Sequence, residues 1–145
     1  MSTEANKALA RRVFDEVLNG RNLDLLDEIA ASDYVEHSPL PGQGIGIDGI
    51  RDRYTFLFNA FDFHFTIDDV IAEGDRVVVR ATNHCEQDSF FGVPGRGIVQ
   101  VFTATFTMQI VDGLIAKVWR NAADLQRLFQ LGARILPPTP PGAGT

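Results

Sequence analysis

Cysteine is scarce in this sequence: Cys85 is the single one in 145 residues. One cysteine excludes an internal disulfide framework and fits the reducing conditions of the cytoplasm. Basic residues are also in the minority, because 13 Lys and Arg face 19 Asp and Glu and leave a net charge of −6. A nucleic-acid-binding surface needs excess positive charge to neutralise phosphates, so this balance disfavours such a partner.

Long apolar runs are missing as well. No stretch approaches the roughly 20 apolar residues that cross a bilayer as a helix. The N-terminal segment MSTEANKALARR has no apolar core of the kind found in signal peptides. We therefore expect a cytoplasmic protein that does not associate with a membrane.

The length is that of one domain with a core of its own. We predict a single domain over residues 1–135. The remaining segment, LPPTPPGAGT at 136–145, is dominated by proline and small residues. Such a composition cannot bury enough apolar surface to order itself, so we predict a flexible tail.

The spacing of apolar residues changes from helical to strand-like in the middle of the chain. Helical spacing predicts a first helix that begins at Ser2 or Thr3 and stops at Asn19-Gly20, a short one from Asn22, and a third from Asp48. DYVEHS, which precedes the third helix, is too short to classify. Period-two alternation then predicts four strands and a short closing helix, in the order 63–67, 76–87, 98–111, 114–121 and 123–132.

Helices followed by long antiparallel strands are typical of an α+β domain. A strongly curved sheet with helices on its concave side encloses an apolar pocket, which side chains or a ligand must fill. Phe102, Ala104, Phe106 and Met108 alternate inward on the third strand. Core packing and a pocket wall explain them equally well.

Five local motifs carry a resemblance to a known family. They are YVEHSPLPGQ at 34–43, EGDRVVVR at 73–80, FFGVPGRG at 90–97, IVDGLI at 110–115 and WRNAADL…QLG at 119–132. On these the chain resembles the SnoaL-like polyketide cyclases, which share the cone-shaped α+β barrel of nuclear transport factor two and limonene epoxide hydrolase. The resemblance implies a homodimer that acts on a hydrophobic small molecule without a cofactor.

The family's acid–base residues are replaced in this chain. The resemblance implies an Asp after the Arg near the end of the last strand, but Asn121 follows Arg120 here. It implies a His on the preceding strand, where hairpin counting places Phe106. An Asn or Asp commonly lies two residues after the aromatic of the first strand, and here Glu36 follows Tyr34.

These substitutions leave Glu36 as the candidate for proton transfer, with His37 in reserve. Asn121 can donate and accept hydrogen bonds to orient a substrate, but it cannot transfer a proton. We therefore take Glu36, His37 and Asn121 as the candidate catalytic set. The candidate substrate-binding residues are Tyr34, Asn83, Phe102, Phe106, Trp119 and Arg120.

Each of these residues also has a purely structural interpretation. Glu36 could be a solvated carboxylate at a strand end, and Asn121 a cap for the helix at Asp124. Arg120 could clamp a substrate oxyanion or face solvent, and Asn83 could line a pocket mouth or simply end a strand. The three histidines lack ligand spacing, so we expect no metal site.

The sequence thus favours a cofactor-free enzyme of secondary metabolism that cyclises or isomerises a hydrophobic, oxygenated, polyketide-like intermediate. An epoxide-hydrolase-like enzyme and a non-catalytic binding or scaffolding protein are the alternatives. The weakly polar face formed by Val101, Thr103, Thr105 and Thr107 suits the expected dimer interface.

Overall fold

The structure is a computed structural model that describes residues 2–142. Four α-helices are present: α1 (Thr3–Arg12), α2 (Leu26–Ile29), α3 (Gly46–Ala60) and α4 (Asp124–Gln130). The Ser2 hydroxyl accepts a hydrogen bond from the Ala5 backbone N–H and caps α1. A π-helical segment, Val13–Leu18, continues α1, and a 3₁₀ turn, Leu23–Leu25, precedes α2.

The structure contains seven strands within the described residues, numbered in chain order. They are β1 (Ala30–Glu36), β2 (Phe61–Glu73), β3 (Arg76–Gln87), β4 (Ser89–Phe90), β5 (Val93–Pro94), β6 (Gln100–Val111) and β7 (Leu114–Ala122). Five of them form one curved sheet in the order β1-β7-β6-β3-β2, while β4 and β5 form a separate hairpin. The first four residues of the unclassified DYVEHS segment, 33–36, therefore form the end of β1. It pairs with β7 in parallel, the one exception to the expected antiparallel order of the main sheet.

The concave face of the sheet carries the core. Val77, Val79 and Ala81 are fully buried on β3, and the inward residues of β6 continue the layer. Phe14, in the π-helical segment, packs edge-on against Phe106 with ring centroids 5.1 Å apart. The α+β cone expected from the sequence is confirmed, with the helices closing the concave side.

One irregularity in β7 determines which side chains point inward. Ile110 pairs with Ile115 and Gln109 with Lys117, so Ala116 has no partner on β6. One extra residue of this kind is a β-bulge, and it reverses the inward and outward alternation beyond it. Val118 and Arg120 consequently face the concave side.

The C-terminal segment has no regular secondary structure from Ala133 to Pro140. Its predicted flexibility stays a prediction, and residues 143–145, like Met1, lie outside the described residues. None of the helices within residues 2–142 is long and apolar enough to span a membrane.

Candidate active site

A cavity of about 590 Å³ lies between the concave face of the sheet, α3, α4 and the β4–β5 hairpin. Its volume is within the range of small-molecule sites, and its walls are mainly aromatic and aliphatic. Polar side chains reach it from two sides. One group surrounds Glu36 on β1, and the other lies beside Asn83 on β3, three strands away across the sheet.

The first polar group is built at the junction of β1 and β7. The Tyr34 hydroxyl donates to Oε2 of Glu36 at 3.1 Å, and the Ser38 backbone N–H donates to Oε1 at 3.0 Å. Ser38 Oγ in turn accepts from the Arg120 backbone N–H at 2.9 Å. These contacts fix the Glu36 carboxylate at the cavity wall and connect it to the strand that presents Arg120.

Two residues of α3 complete this side. Tyr54 and Arg53 line the cavity, and Arg53, Glu36 and Arg120 lie close enough to Tyr54 to affect the pKa of its hydroxyl. Burial raises the pKa of Tyr54 to about 12, against the opposing effect of Arg53, so its hydroxyl stays a hydrogen-bond donor at neutral pH. Burial also raises the pKa of Tyr34, with Tyr54 and Glu36 adding to the effect.

The second polar group is centred on Arg127 of α4, which is 6% exposed. Its guanidinium lies over the rings of Phe90 and Phe102, at 3.8 and 4.4 Å from their centroids. Nη2 donates to Oε1 of Gln87 and approaches the sulfur of Cys85 at 3.5 Å. Burial raises the pKa of the Cys85 thiol and lowers that of Arg127, so Cys85 is not set up as a nucleophile.

Asp124 lies between the two groups. Its Oδ2 is 3.5 Å from Nη1 of Arg120, and its Oδ1 is 4.0 Å from Nη1 of Arg127. One carboxylate therefore serves two guanidinium groups at the cavity wall.

The residues predicted from the sequence divide into two sets. Those that line the cavity are Glu36, Asn83, Phe102, Phe106 and Arg120. Those that do not are Tyr34, His37, Trp119 and Asn121. Tyr34 is buried just behind the wall and reaches the site only through its hydrogen bond to Glu36.

The placement expected for Trp119 and Asn121 is wrong, and the bulge at Ala116 is the reason. It turns Arg120 inward, whereas Trp119 and Asn121 pair with Thr107 and Thr105 on the outer face of the sheet. His37 is exposed there as well, stacked on Trp119 at 4.5 Å between ring centroids. These three side chains are thus outside the cavity.

Among the cavity residues that were not identified from the sequence are Arg53, Tyr54, Asp124 and Arg127. Asp124 carries the clearest missed signal, because it supplies a carboxylate three residues after Asn121. Arg53 and Tyr54 are adjacent on α3, where the helical pattern indicated burial of Tyr54 but not the cavity. Arg127 reads as an ordinary helix cation, and nothing in its local sequence indicates a buried position.

No group of three or more His, Cys, Asp or Glu side chains within residues 2–142 is arranged to hold a metal ion. The polar groups that line the cavity are carboxylates, guanidinium groups, a phenol, an amide, a thiol and a hydroxyl. Together they can move protons and stabilise oxyanions.

The family is decided by comparison with known proteins. A family model described as SnoaL-like polyketide cyclase matches residues 8–131. The chain belongs to this family. Comparison with curated proteins gives no match.

Solved structures share the fold over most of the family domain. TsrD from Streptomyces laurentii superposes with a TM-score of 0.80 at 26% identity, covering 92% of this chain and 99% of TsrD. A proposed SnoaL-like polyketide cyclase from Jannaschia sp. CCS1 gives a TM-score of 0.77 at 24% identity, over 92% and 95% of the two chains. IdmH from Streptomyces antibioticus, a proposed polyketide cyclase, gives 0.76 at 24% identity, over 88% and 99%. At 24% identity, the last two likenesses establish the fold alone.

Proposed function

We propose that this SnoaL-like protein is a cofactor-free enzyme that cyclises or isomerises a hydrophobic, oxygenated, polyketide-like molecule by moving a proton. The observation that supports this most directly is the Glu36 carboxylate, held by two hydrogen bonds at the wall of an apolar cavity. A fixed carboxylate that contacts an apolar substrate is a suitable general base.

The chemistry needs no oxidant or reductant. Glu36 takes a proton from an acidic C–H beside a substrate carbonyl, which leaves an enolate and a protonated Glu36. Arg120, whose side chain is 18% exposed, stabilises the enolate oxygen, and the Tyr54 hydroxyl donates a hydrogen bond. Return of the proton from Glu36 to another position completes an isomerisation. In a cyclisation, the enolate carbon attacks a second carbonyl of the same molecule, and the alkoxide that forms as the C=O π bond breaks takes the proton from Glu36.

The test follows proton exchange, which does not require the natural product to be known. Aromatic β-keto esters are incubated with the protein in deuterated buffer, and deuterium uptake at the acidic carbon is measured by NMR. Glu36→Gln keeps the size of the side chain but removes its titratable group. We expect it to slow exchange by about 10²–10⁴-fold and to leave the affinity for the ester nearly unchanged.

The matched control is His37→Gln, because His37 lies beside Glu36 in sequence but outside the cavity. It should retain wild-type exchange, and so should Asn121→Asp on the outer face. Full exchange in Glu36→Gln would show that another group moves the proton. Binding of the esters without any exchange in the wild type would favour the non-catalytic alternative.

A second candidate activity is supported by one contact. Asp124 and Glu36 both line the cavity, and Asp124 is paired with Arg120. Two carboxylates and an arginine around one water are what hydrolysis of an epoxide requires, as expected for the epoxide-hydrolase-like alternative. Including aliphatic epoxides in the substrate panel separates the two reactions, because only hydrolysis yields a diol. We further propose that the protein is a cytoplasmic homodimer of secondary metabolism.

A further inference from the structure

Arg127 is the most deeply buried charged group of the cavity wall. Buried charges in proteins are normally paired and fully hydrogen-bonded, because an uncompensated one is strongly disfavoured. The contacts of Arg127 fall short of this. Nη2 is bonded to Gln87, but Nε has no hydrogen-bond partner among residues 2–142.

The negative charge near Arg127 is also insufficient. Asp124 approaches it only to 4.0 Å and is closer, at 3.5 Å, to Arg120. Cys85 does not supply a charge, since burial keeps its thiol protonated at neutral pH. Two guanidinium groups therefore share one carboxylate, and Arg127 has no ion-pair partner of its own among the described residues.

A neighbouring side chain on the same side is unsatisfied too. Asn83 is 6% exposed and lines the cavity. Its Oδ1 has no hydrogen-bond partner within the described part of the chain, but this oxygen is an acceptor, so the atom of Asn83 that can bind an anion is the Nδ2 donor. The aromatic contacts of Arg127 with Phe90 and Phe102 explain how it is held in place. They give its charge no close counter-ion and its Nε no hydrogen-bond partner among the described residues.

We infer that Arg127, together with the Nδ2 donor of Asn83, forms a subsite for a carboxylate on the substrate, on the side of the cavity away from Glu36. The inference rests on the proposed function in taking this cavity as the substrate site. It narrows the substrate class to a hydrophobic acid whose free carboxylate pairs with Arg127. A carboxylate bound there also holds the opposite part of the molecule towards Glu36.

The test compares two probes that differ only in charge: anthraquinone-2-carboxylate and anthraquinone-2-carboxamide, with affinities measured by calorimetry at neutral pH. A hydrogen bond to a charged group contributes about 1.5–3 kcal/mol, so the wild type should bind the acid at least about 10-fold more tightly than the amide. Arg127→Met should abolish this preference. Arg11→Met, the matched change at an exposed arginine of α1 outside the cavity, should keep it.

A second variant tests the same subsite in case Arg127→Met does not fold. Asn83→Asp is nearly isosteric and places a negative charge in the same subsite, so it should weaken binding of the acid without weakening binding of the amide. Equal affinities for the two probes in the wild type, or no binding of the acid, would overturn the inference. So would a preference that survives Arg127→Met or that is also lost in Arg11→Met.

The outcome can be separated from that of the proposed function. Glu36→Gln should retain the preference for the acid, because Glu36 lies on the other side of the cavity. Loss of proton exchange with the preference intact supports both assignments. Preference for the acid in a wild-type protein without exchange activity supports the subsite and removes the proposed chemistry.

Discussion

Two tyrosines, the only ones in the chain, are placed around Glu36. Tyr34 donates its hydroxyl to the carboxylate from behind the cavity wall, and Tyr54 faces the cavity. Ionising either one would put a second negative charge beside Glu36 in a poorly solvated place. Burial is the main cause that raises the pKa of both tyrosines, and the charge of Glu36 adds to it.

The raised pKa of Tyr54 makes a prediction about alkaline stability. In the unfolded chain a tyrosine ionises near pH 10, whereas Tyr54 in the folded protein keeps its proton until about pH 12. Between these values the unfolded state binds fewer protons, so the free energy of unfolding should fall by up to about 1.4 kcal/mol per pH unit from this group. Urea denaturation from pH 9 to 12 should show the fall, and it should be shallower in Tyr54→Phe.

Ultraviolet absorbance provides the direct check, since the chain has two phenols. The wild type should show no phenolate signal near pH 10 while folded. A full tyrosine transition at pH 10 in the folded wild type, lost in Tyr54→Phe, would contradict the assigned environment of Tyr54.

Residue identity alone could not place the WRN segment. Glu36 and Arg120 were recognisable as candidates because their types suit proton transfer and oxyanion binding. The inward register beyond Ile115 depends on the bulge at Ala116, and an unpaired residue leaves no distinctive pattern in the sequence. Strict alternation from Ile115 selects Trp119 and Asn121, the two that in fact face outward.

At the level of the secondary-structure elements, two amide side chains replace missing strand partners. Asn19 donates its Nδ2 to the Phe65 carbonyl and accepts from the Phe65 N–H with Oδ1, both at 2.8 Å. Gln130 does the same for Val101 of β6, at 2.7 and 2.8 Å. Asn19 thereby ties the end of the first helical segment to the edge strand β2, and Gln130 ties the end of α4 to β6.

The bond between Asn19 and Phe65 can be tested with an isosteric change. Asn19→Asp replaces the donor with a carboxylate oxygen that faces the Phe65 carbonyl, which then has no partner. We expect the free energy of unfolding to fall by about 1–3 kcal/mol, measured by urea denaturation at pH 7. The control is Asn22→Asp, because Asn22 is exposed and caps no helix through its side chain.

Asn22→Asp should leave stability within about 0.5 kcal/mol of the wild type. Equal effects of the two changes would mean that added negative charge, and not the lost donor, is responsible.

The sequence predicted the elements better than their connections. Helical and strand periods located α1, α3, β3 and the β6–β7 hairpin, because each period is a local property. The Asn19-Gly20 stop signal was also correct. The residue to which Asn19 hydrogen-bonds, Phe65, lies 46 residues away, so local spacing could not predict this contact. The parallel pairing of β1 with β7 was hidden for the same reason.

At the scale of the whole molecule, the outer face of the sheet is not covered by any helix within residues 2–142. Val101 and Thr103 are exposed there, and Thr105 and Thr107 are partly buried by their neighbours. Trp119 adds an aromatic surface beside Thr107. Small and weakly polar side chains at the centre of such a face allow two sheets to approach closely.

We expect this face to form a two-fold homodimer interface, so that each residue near the axis meets its own copy. Thr105→Lys places two like charges close together across that axis and should convert the dimer to a monomer. Light scattering at micromolar concentration measures the change directly. Thr55→Lys on α3, an exposed position in the other layer, is the matched control and should remain dimeric.

The cavity opens on the concave side, so the Thr105→Lys monomer should keep the preference for the anthraquinone acid if it stays folded. A monomeric wild type, or a Thr105→Lys variant that remains dimeric, would place the interface elsewhere or remove it.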